Sequence, residues 1–270
     1  MNNEAYKSFD LKGKTAYVTG GGGGLGYYMA RGLLRSGARV MIAARRENVL
    51  QEAVDKLRAE TGNQEVSYQT VDLSHPDSIA ASASRAIEAL GGVDILVGNA
   101  GVEATQTLDV IDEGTTENVF QVNVFANMSL AKHFLPHMQV NNWGRMIFSS
   151  SILSKRGSSE EGFSAYAGAK SAINGFVRNA AVELGRSGIT VNSIIIGMYM
   201  TDMVKKSLKA SNDAKVTVDK MLSMTALGRF GDPENLEGPV RLLASDAGSY
   251  ITGSELFVDG GLAINLKPVN

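Results

Sequence analysis

Thr15-Ala16-Tyr17-Val18-Thr19-Gly20-Gly21-Gly22-Gly23-Gly24-Leu25-Gly26 decides the fold. The first five residues are rich in β-branched and aromatic side chains, the pattern of a buried strand. Five glycines follow, and after them Leu25, Tyr28, Met29, Leu33 and Leu34 recur at helical spacing. A glycine turn between a strand and a helix offers backbone N–H groups to a pyrophosphate, with the positive end of the helix dipole behind them. Gly20, Gly24 and Gly26 are the leading cofactor-binding positions, and Gly22, Gly23 and Leu25 complete the turn.

Outward from this turn, short β-branched runs alternate with amphipathic stretches, which predicts an α/β chain with a doubly wound, mostly parallel sheet and helices on both faces. Seven strands are expected, at Thr15 to Thr19, Arg39 to Ala43, Val66 to Val71, Asp94 to Val97, Arg145 to Ser149, Thr190 to Ile195 and Leu256 to Val258. Nothing resembling a linker divides the chain, so residues 1–270 are read as a single domain. From about 198 to 231 the β-α rhythm lapses into two short helical patterns rich in methionine (Met198, Met200, Met203, Met221, Met224). That segment is expected to be a lid, either pliable over an apolar substrate or simply packed on the domain, with Lys205, Lys206, Lys209, Lys215 and Lys220 on its wet face.

Tyr166 and Lys170 supply the chemistry. A four-residue step puts both on one face of a helix whose apolar positions are Ile173, Phe176, Val177, Ala180, Ala181 and Leu184. An ammonium so placed can hold a phenol acidic. A dinucleotide cradle followed by a proton-transfer couple points to an oxidoreductase.

Composition narrows the partners. The net charge of -2 and the lack of long like-charge runs argue against nucleic acid or a membrane surface, leaving a small molecule. With no cysteine among 270 residues, catalysis must use oxygen and nitrogen groups. A polar start and the lack of a long apolar run make the cytoplasm the expected location. His133 and His137 have zinc-like spacing, but Pro136 lies between them and no third ligand is near, so no metal is expected. Glu103, Glu160 and Glu161 are candidates to meet a hydroxylated or cationic substrate, set against the plainer reading of solvated loop charges.

The end of the second strand reads Ala43-Ala44-Arg45-Arg46, where dinucleotide folds that prefer NAD place an acid for the ribose diol. Two guanidiniums suit a 2′-phosphate instead, so Arg45 and Arg46 indicate NADP(H), with NAD(H) as the alternative.

These residues resemble the short-chain dehydrogenase/reductases of the compact kind, over nearly the whole length. Thr19 to Gly26 is similar to the family's Thr-Gly-x-x-x-Gly-x-Gly, Gly98-Asn99-Ala100-Gly101 to its Asn-Asn-Ala-Gly, and Tyr166 to Lys170 to its Tyr-x-x-x-Lys. Leu227 to Glu234 and Val258-Asp259-Gly260-Gly261 also look typical. The resemblance implies a Rossmann-type fold and a carbonyl–alcohol oxidoreductase that works by hydride transfer, with Tyr166 as proton donor or acceptor and Lys170 lowering its pKa. It implies Asp72 and Leu73 as adenine contacts, Asn99, Ala100 and Gly101 as further cofactor contacts, and Gly197 and Thr201 beside the nicotinamide. Tyr166 and Lys170 also meet the cofactor. Asn123 is implied to fix a water that links Lys170 to solvent. The catalytic serine is implied among Ser149, Ser150 and Ser151: aligned from the strand it is Ser150, with Ser151 as the alternative. Ile196-Gly197 departs from the family's usual Pro-Gly. A homo-oligomer, tetramer or dimer, is expected through helix pairs and the C-terminal strand. The reading from another class is a nucleotide sensor without turnover, against which stand the retained Tyr166 and Lys170.

Overall fold

Among the described residues seven strands form one all-parallel sheet in the order β3-β2-β1-β4-β5-β6-β7. They are β1 (Thr15–Thr19), β2 (Arg39–Ala44), β3 (Val66–Thr70), β4 (Ile95–Gly98), β5 (Gly144–Ser151), β6 (Ile189–Ile196) and β7 (Glu255–Val258). The computed structural model describes residues 7–158, 161–201 and 214–265, with side chains from 218 in the third stretch. The helices are α1 (Gly24–Arg35), α2 (Glu47–Thr61), α3 (Pro76–Leu90), α4 (Glu113–Phe120), α5 (Ala126–Val140), α6 (Ser164–Leu184), α7 (Ala214–Ser223) and α8 (Glu237–Ala244).

The inner strands are buried on both faces because successive side chains serve different cores. Tyr17, Met41, Leu96, Met146 and Phe148 face the layer of α3, α5 and α6, while Ala16, Val18, Ile42, Val97 and Ile147 face the layer of α1, α2 and α8. This is the doubly wound α/β fold that the alternating runs predict. β1 and β4 are neighbours although β2 and β3 lie between them in sequence, so the strand order reverses there. Open α/β sheets bind ligands outside the carboxyl ends of the strands at such a point.

Ions tie α1 to the far end of the chain. The buried Arg31 reaches Glu237 at 2.5 Å, Glu234 at 2.6 Å and Glu60 at 2.7 Å. α1 is thus fixed against α8 and α2, and the glycine turn is held at its amino end. Of the expected lid, residues 202–213 lie outside the described residues, including Met203, Lys205, Lys206 and Lys209. The side chain of Lys215 lies outside them too. Around that gap, Tyr199 pairs with Gly231 and its hydroxyl donates to Val258 O at 3.0 Å, which ties both roots of the segment to the end of β7. No helix among the described residues is long and apolar enough to cross a membrane.

Candidate active site

Thr19 ends β1, and its hydroxyl oxygen accepts the backbone N–H groups of Asn99 and Ala100, both at 3.0 Å. Asn99 Nδ2 donates back to Thr19 O at 3.2 Å, and Ser149 Oγ donates to Asn99 Oδ1 at 3.1 Å. The turn after β1, the turn after β4 and the end of β5 are therefore joined by side chains. Gly26 packs so tightly into this joint that a Cβ there would overlap the Gly20 carbonyl oxygen and sit 2.5 Å from Asn99 Nδ2. Gly22 comes close to α2, where a Cβ would meet Val49 at 3.3 Å. The glycines thus let α1 start hard against the sheet, with its N–H groups open above the strand ends.

At the outer strands, Arg45 and Arg46 are exposed between β2 and α2, and neither guanidinium is paired among the described residues. Asp72 lies across from them after β3. Hydrogen bonds from the Ser74 hydroxyl (2.7 Å) and N–H (3.0 Å) hold its carboxyl below the usual range, with a smaller contribution from the Arg45 charge. Leu73 is buried beside it, and its carbonyl accepts from Gln121 Nε2 at 3.2 Å. On the other flank Gly197 N–H donates to Val258 O at 3.3 Å, and Thr201 N–H donates to Tyr199 O at 2.9 Å.

Tyr166 and Lys170 lie on the first turns of α6, with the ammonium 5.5 Å from the phenol ring centre. Lys170 is buried and its Nζ donates to Ser149 O at 2.9 Å. Burial brings its pKa down to about 8. Tyr166 is pushed up to about 12 by burial, eased by a hydrogen bond with the Ser151 hydroxyl and reinforced by the charge of Glu103. The sequence reading has Lys170 lower this pKa together with the charge of oxidised nicotinamide, and against that lowering burial holds the proton on the phenol. Desolvation penalises the charged form of both groups, and it outweighs their proximity.

Asn123 arrives from a π-turn, Gln121–Phe125, between α4 and α5. Such a turn carries one extra residue and swings a side chain away from the regular helical face. Asn123 Nδ2 donates to Val102 O at 2.7 Å and Val119 O at 2.8 Å, while its buried Oδ1 has no partner among the described residues. Gly101 marks where these groups converge: a Cβ there would stand 2.6 Å from Asn123 Oδ1 and 3.3 Å from Lys170 Nζ. The tight Gly26 joint, the side-chain-free cradle at Gly101 and the orphaned Asn123 oxygen all fit a dinucleotide laid across the strand ends.

The comparisons with known proteins agree with this geometry. A family model described as enoyl-(acyl carrier protein) reductase matches residues 21–263. The chain is similar to L-rhamnose 1-dehydrogenase (NADP(+)) of Thermoplasma acidophilum, 36% identical over 259 residues that cover 96% of this chain and 99% of that protein. The chain belongs to the short-chain dehydrogenase/reductases. It is also similar to the 3-oxoacyl-(acyl-carrier-protein) reductase FabG of Vibrio cholerae, at 34% identity over 94% of this chain and 98% of that one. The solved structure of L-sorbose reductase from Gluconobacter frateurii complexed with NADPH and L-sorbose superposes with a TM-score of 0.90 at 29% identity, covering 96% of this chain and 100% of that one.

In this short-chain dehydrogenase/reductase the two serines that the sequence offers, Ser150 and its alternative Ser151, are placed differently. β5 runs through all three serines, so Ser150 shares a side with Met146 and Phe148 and faces α6. Its hydroxyl donates to the Lys170 carbonyl at 3.1 Å, whereas the hydroxyl that meets the phenol belongs to Ser151. Ser151 also accepts from Leu153 N–H at 3.2 Å. The sequence reading missed Ser154 and Asn174 as supports of this site. Ser154 Oγ donates to Ser151 O at 2.7 Å and accepts from Asn174 Nδ2 at 2.9 Å. Asn174 follows Lys170 by four residues, so the helical step that joins Tyr166 to Lys170 was the signal that could have found it. Glu161 is exposed before α6, and Glu160 lies outside the described residues. His137 pairs with Asp94 at the amino ends of the strands, away from this site.

Proposed function

We propose that this chain is an NADP(H)-dependent oxidoreductase that interconverts a ketone or aldehyde and the matching secondary alcohol, with Tyr166 moving the proton. One chain of contacts carries this reading: Ser151 meets the Tyr166 phenol, the Lys170 ammonium stands by that ring, and Lys170 converges at the bare face of Gly101 with an Asn123 oxygen that has no partner among the described residues. Relatives named as an NADP(+) dehydrogenase and as an NADPH-bound reductase support the reaction class and the nucleotide. A bound nicotinamide supplies or removes hydride, which no side chain of this protein can do.

The protein's part is to hold and to move protons. In reduction Tyr166 stands protonated at neutral pH, because burial holds its proton on, and it donates to the substrate oxygen as that oxygen gains charge. Ser151 donates a second hydrogen bond to the same oxygen. Asn123 Oδ1 accepts from a water that connects Lys170 with solvent. In alcohol oxidation the phenol must first release its proton, and Lys170 is the cation of this chain best placed to help. Ser150 locks the Lys170 turn to β5.

Gly20, Gly22, Gly23, Gly24, Leu25 and Gly26 hold the pyrophosphate, Asp72 and Leu73 flank the adenine, Arg45 and Arg46 grip the 2′-phosphate, and Asn99, Ala100, Gly101, Gly197 and Thr201 line the nicotinamide end. The chain works as one domain over 1–270 with the 198–231 segment as its lid, a reading supported by one continuous sheet. It operates in the cytoplasm as a homotetramer or homodimer, supported by β7 at the sheet edge and by exposed Phe125, Met128, Tyr250 and Phe257. The test is nicotinamide absorbance with NADPH and NADH against ketones, aldehydes and alcohols. Turnover with NADPH that vanishes in Tyr166→Phe is expected. Nucleotide binding without turnover across the panel would favour the sensor.

A further inference from the structure

The loop that leaves β4 continues from the Gly101 cradle beside Lys170, and it is pinned at several points. Val102 is held by Asn123 Nδ2, Ala104 is buried, and Thr105 abuts Gly162, where a Cβ would stand 2.5 Å from the Thr105 carbonyl oxygen. Between these anchors Glu103 is exposed, two residues from the Gly101 cradle. Among the described residues its carboxylate has no hydrogen bond or ion pair, yet its charge reaches the Tyr166 phenol. Glu161, next to Gly162, is exposed on the same rim. The cations of the facing loop are engaged elsewhere: Lys155 with Glu255, and Arg156 with the Leu262 carbonyl at 2.9 Å.

We infer that Glu103 is a specificity-determining residue, accepting a hydrogen bond from a hydroxyl on the substrate carbon beside the reacting one and turning away carboxylates. This rests on the reading of the site as a carbonyl–alcohol oxidoreductase. An apolar substrate entering here would strip water from this carboxylate and return no hydrogen bond. A hydroxyl restores the lost bond in charge-assisted form. A site built around such a bond discriminates strongly against the analogue that lacks it. An anionic group in the same place meets like charge. The substrates selected are neutral and polyhydroxylated.

The experiment uses the full chain with NADPH and matched ketones: an α-hydroxyketone, its deoxy counterpart, the corresponding α-aminoketone and a 2-keto acid. Ratios of kcat/KM are the readout, because a change in Tyr166 acidity cancels in a ratio. The expected result is a hydroxy-to-deoxy ratio well above one in the parent. It falls about tenfold in Glu103→Ala, while Glu103→Gln raises the keto-acid-to-deoxy ratio about tenfold by removing the charge. Ratios unchanged in both variants overturn the inference, as does a response confined to the aminoketone. If no ketone is turned over, or Tyr166→Phe retains full turnover, it is the reading of the site that has failed. NADPH fluorescence on the variants confirms that they are folded.

Discussion

Around Asp94, at the amino ends of β1 and β4, buried polar groups are matched; around Lys170, at the carboxyl ends, they are left short. Asp94, ahead of β4, takes Thr15 N–H at 2.9 Å, with Thr15 Oγ1 and His137 Nε2 each at 3.1 Å. Nearby the Trp143 ring is capped by Lys14 at 3.8 Å and Arg145 at 4.2 Å. At the other end Asn123 Oδ1, Asn127 Oδ1 and Asn174 Oδ1 are buried without partners among the described residues, and the Lys170 ammonium is enclosed with a carbonyl for company. Proteins rarely leave buried polar atoms unsatisfied, and groups that must exchange partners during turnover are a physical reason to do so. One sheet thus carries a structural end and a working end.

The largest break between them comes from Tyr166→Phe, which lowers kcat/KM by about 10³-fold and leaves the melting temperature unchanged or higher. Steady-state kinetics beside a thermal melt decides it; a lower melting temperature would place Tyr166 among the structural groups. Ser151→Ala follows at about 10²-fold in kcat, since it removes one donor to the developing oxyanion. At the opposite end Asp94→Ala reverses the pattern. Stability falls by about 2 kcal/mol, as Thr15 and His137 lose a charged partner, while kcat measured well below the melting range is retained.

Lys170 gives the comparison a pH signature. Its folded pKa of about 8 lies below the ordinary lysine value of 10.5, so between these the folded chain binds fewer protons than the unfolded one. Stability of the cofactor-free protein therefore rises with pH across that window, by at most about 1.4 kcal/mol per pH unit. Tyr166 acts in the opposite sense above 10, so denaturant melts at pH 8 to 10 isolate the lysine. Lys170→Met is expected to flatten the slope, and an unchanged slope would mean that the ammonium finds water. The smallest effect is Ser150→Ala, which loses about 1 kcal/mol of stability with much less loss of activity than Ser151→Ala. If Ser150→Ala proves the more damaging to kcat, the roles of the two serines are reversed.

The strands and the Tyr166 helix were legible because apolar periodicity is written residue by residue. All seven predicted strands overlap the observed ones. The serine was not legible, because β5 extends two residues past its predicted end, and which serine faces α6 depends on strand parity and end geometry. Asn123 was reached only through resemblance. The single extra residue of its π-turn leaves no trace in hydrophobic pattern. The burial of Lys170 was hidden as well, since a lysine in sequence reads as solvated whatever its surroundings become.

Thr19 has one more consequence. Its oxygen holds two backbone amides of the turn after β4 while its own backbone leads into the glycine turn. Local openings in a protein spread through contiguous cooperative units. Nucleotide grip and proton delivery belong here to one such unit, so amides of both turns should exchange with deuterium together, and mild heating should abolish affinity and turnover at the same temperature.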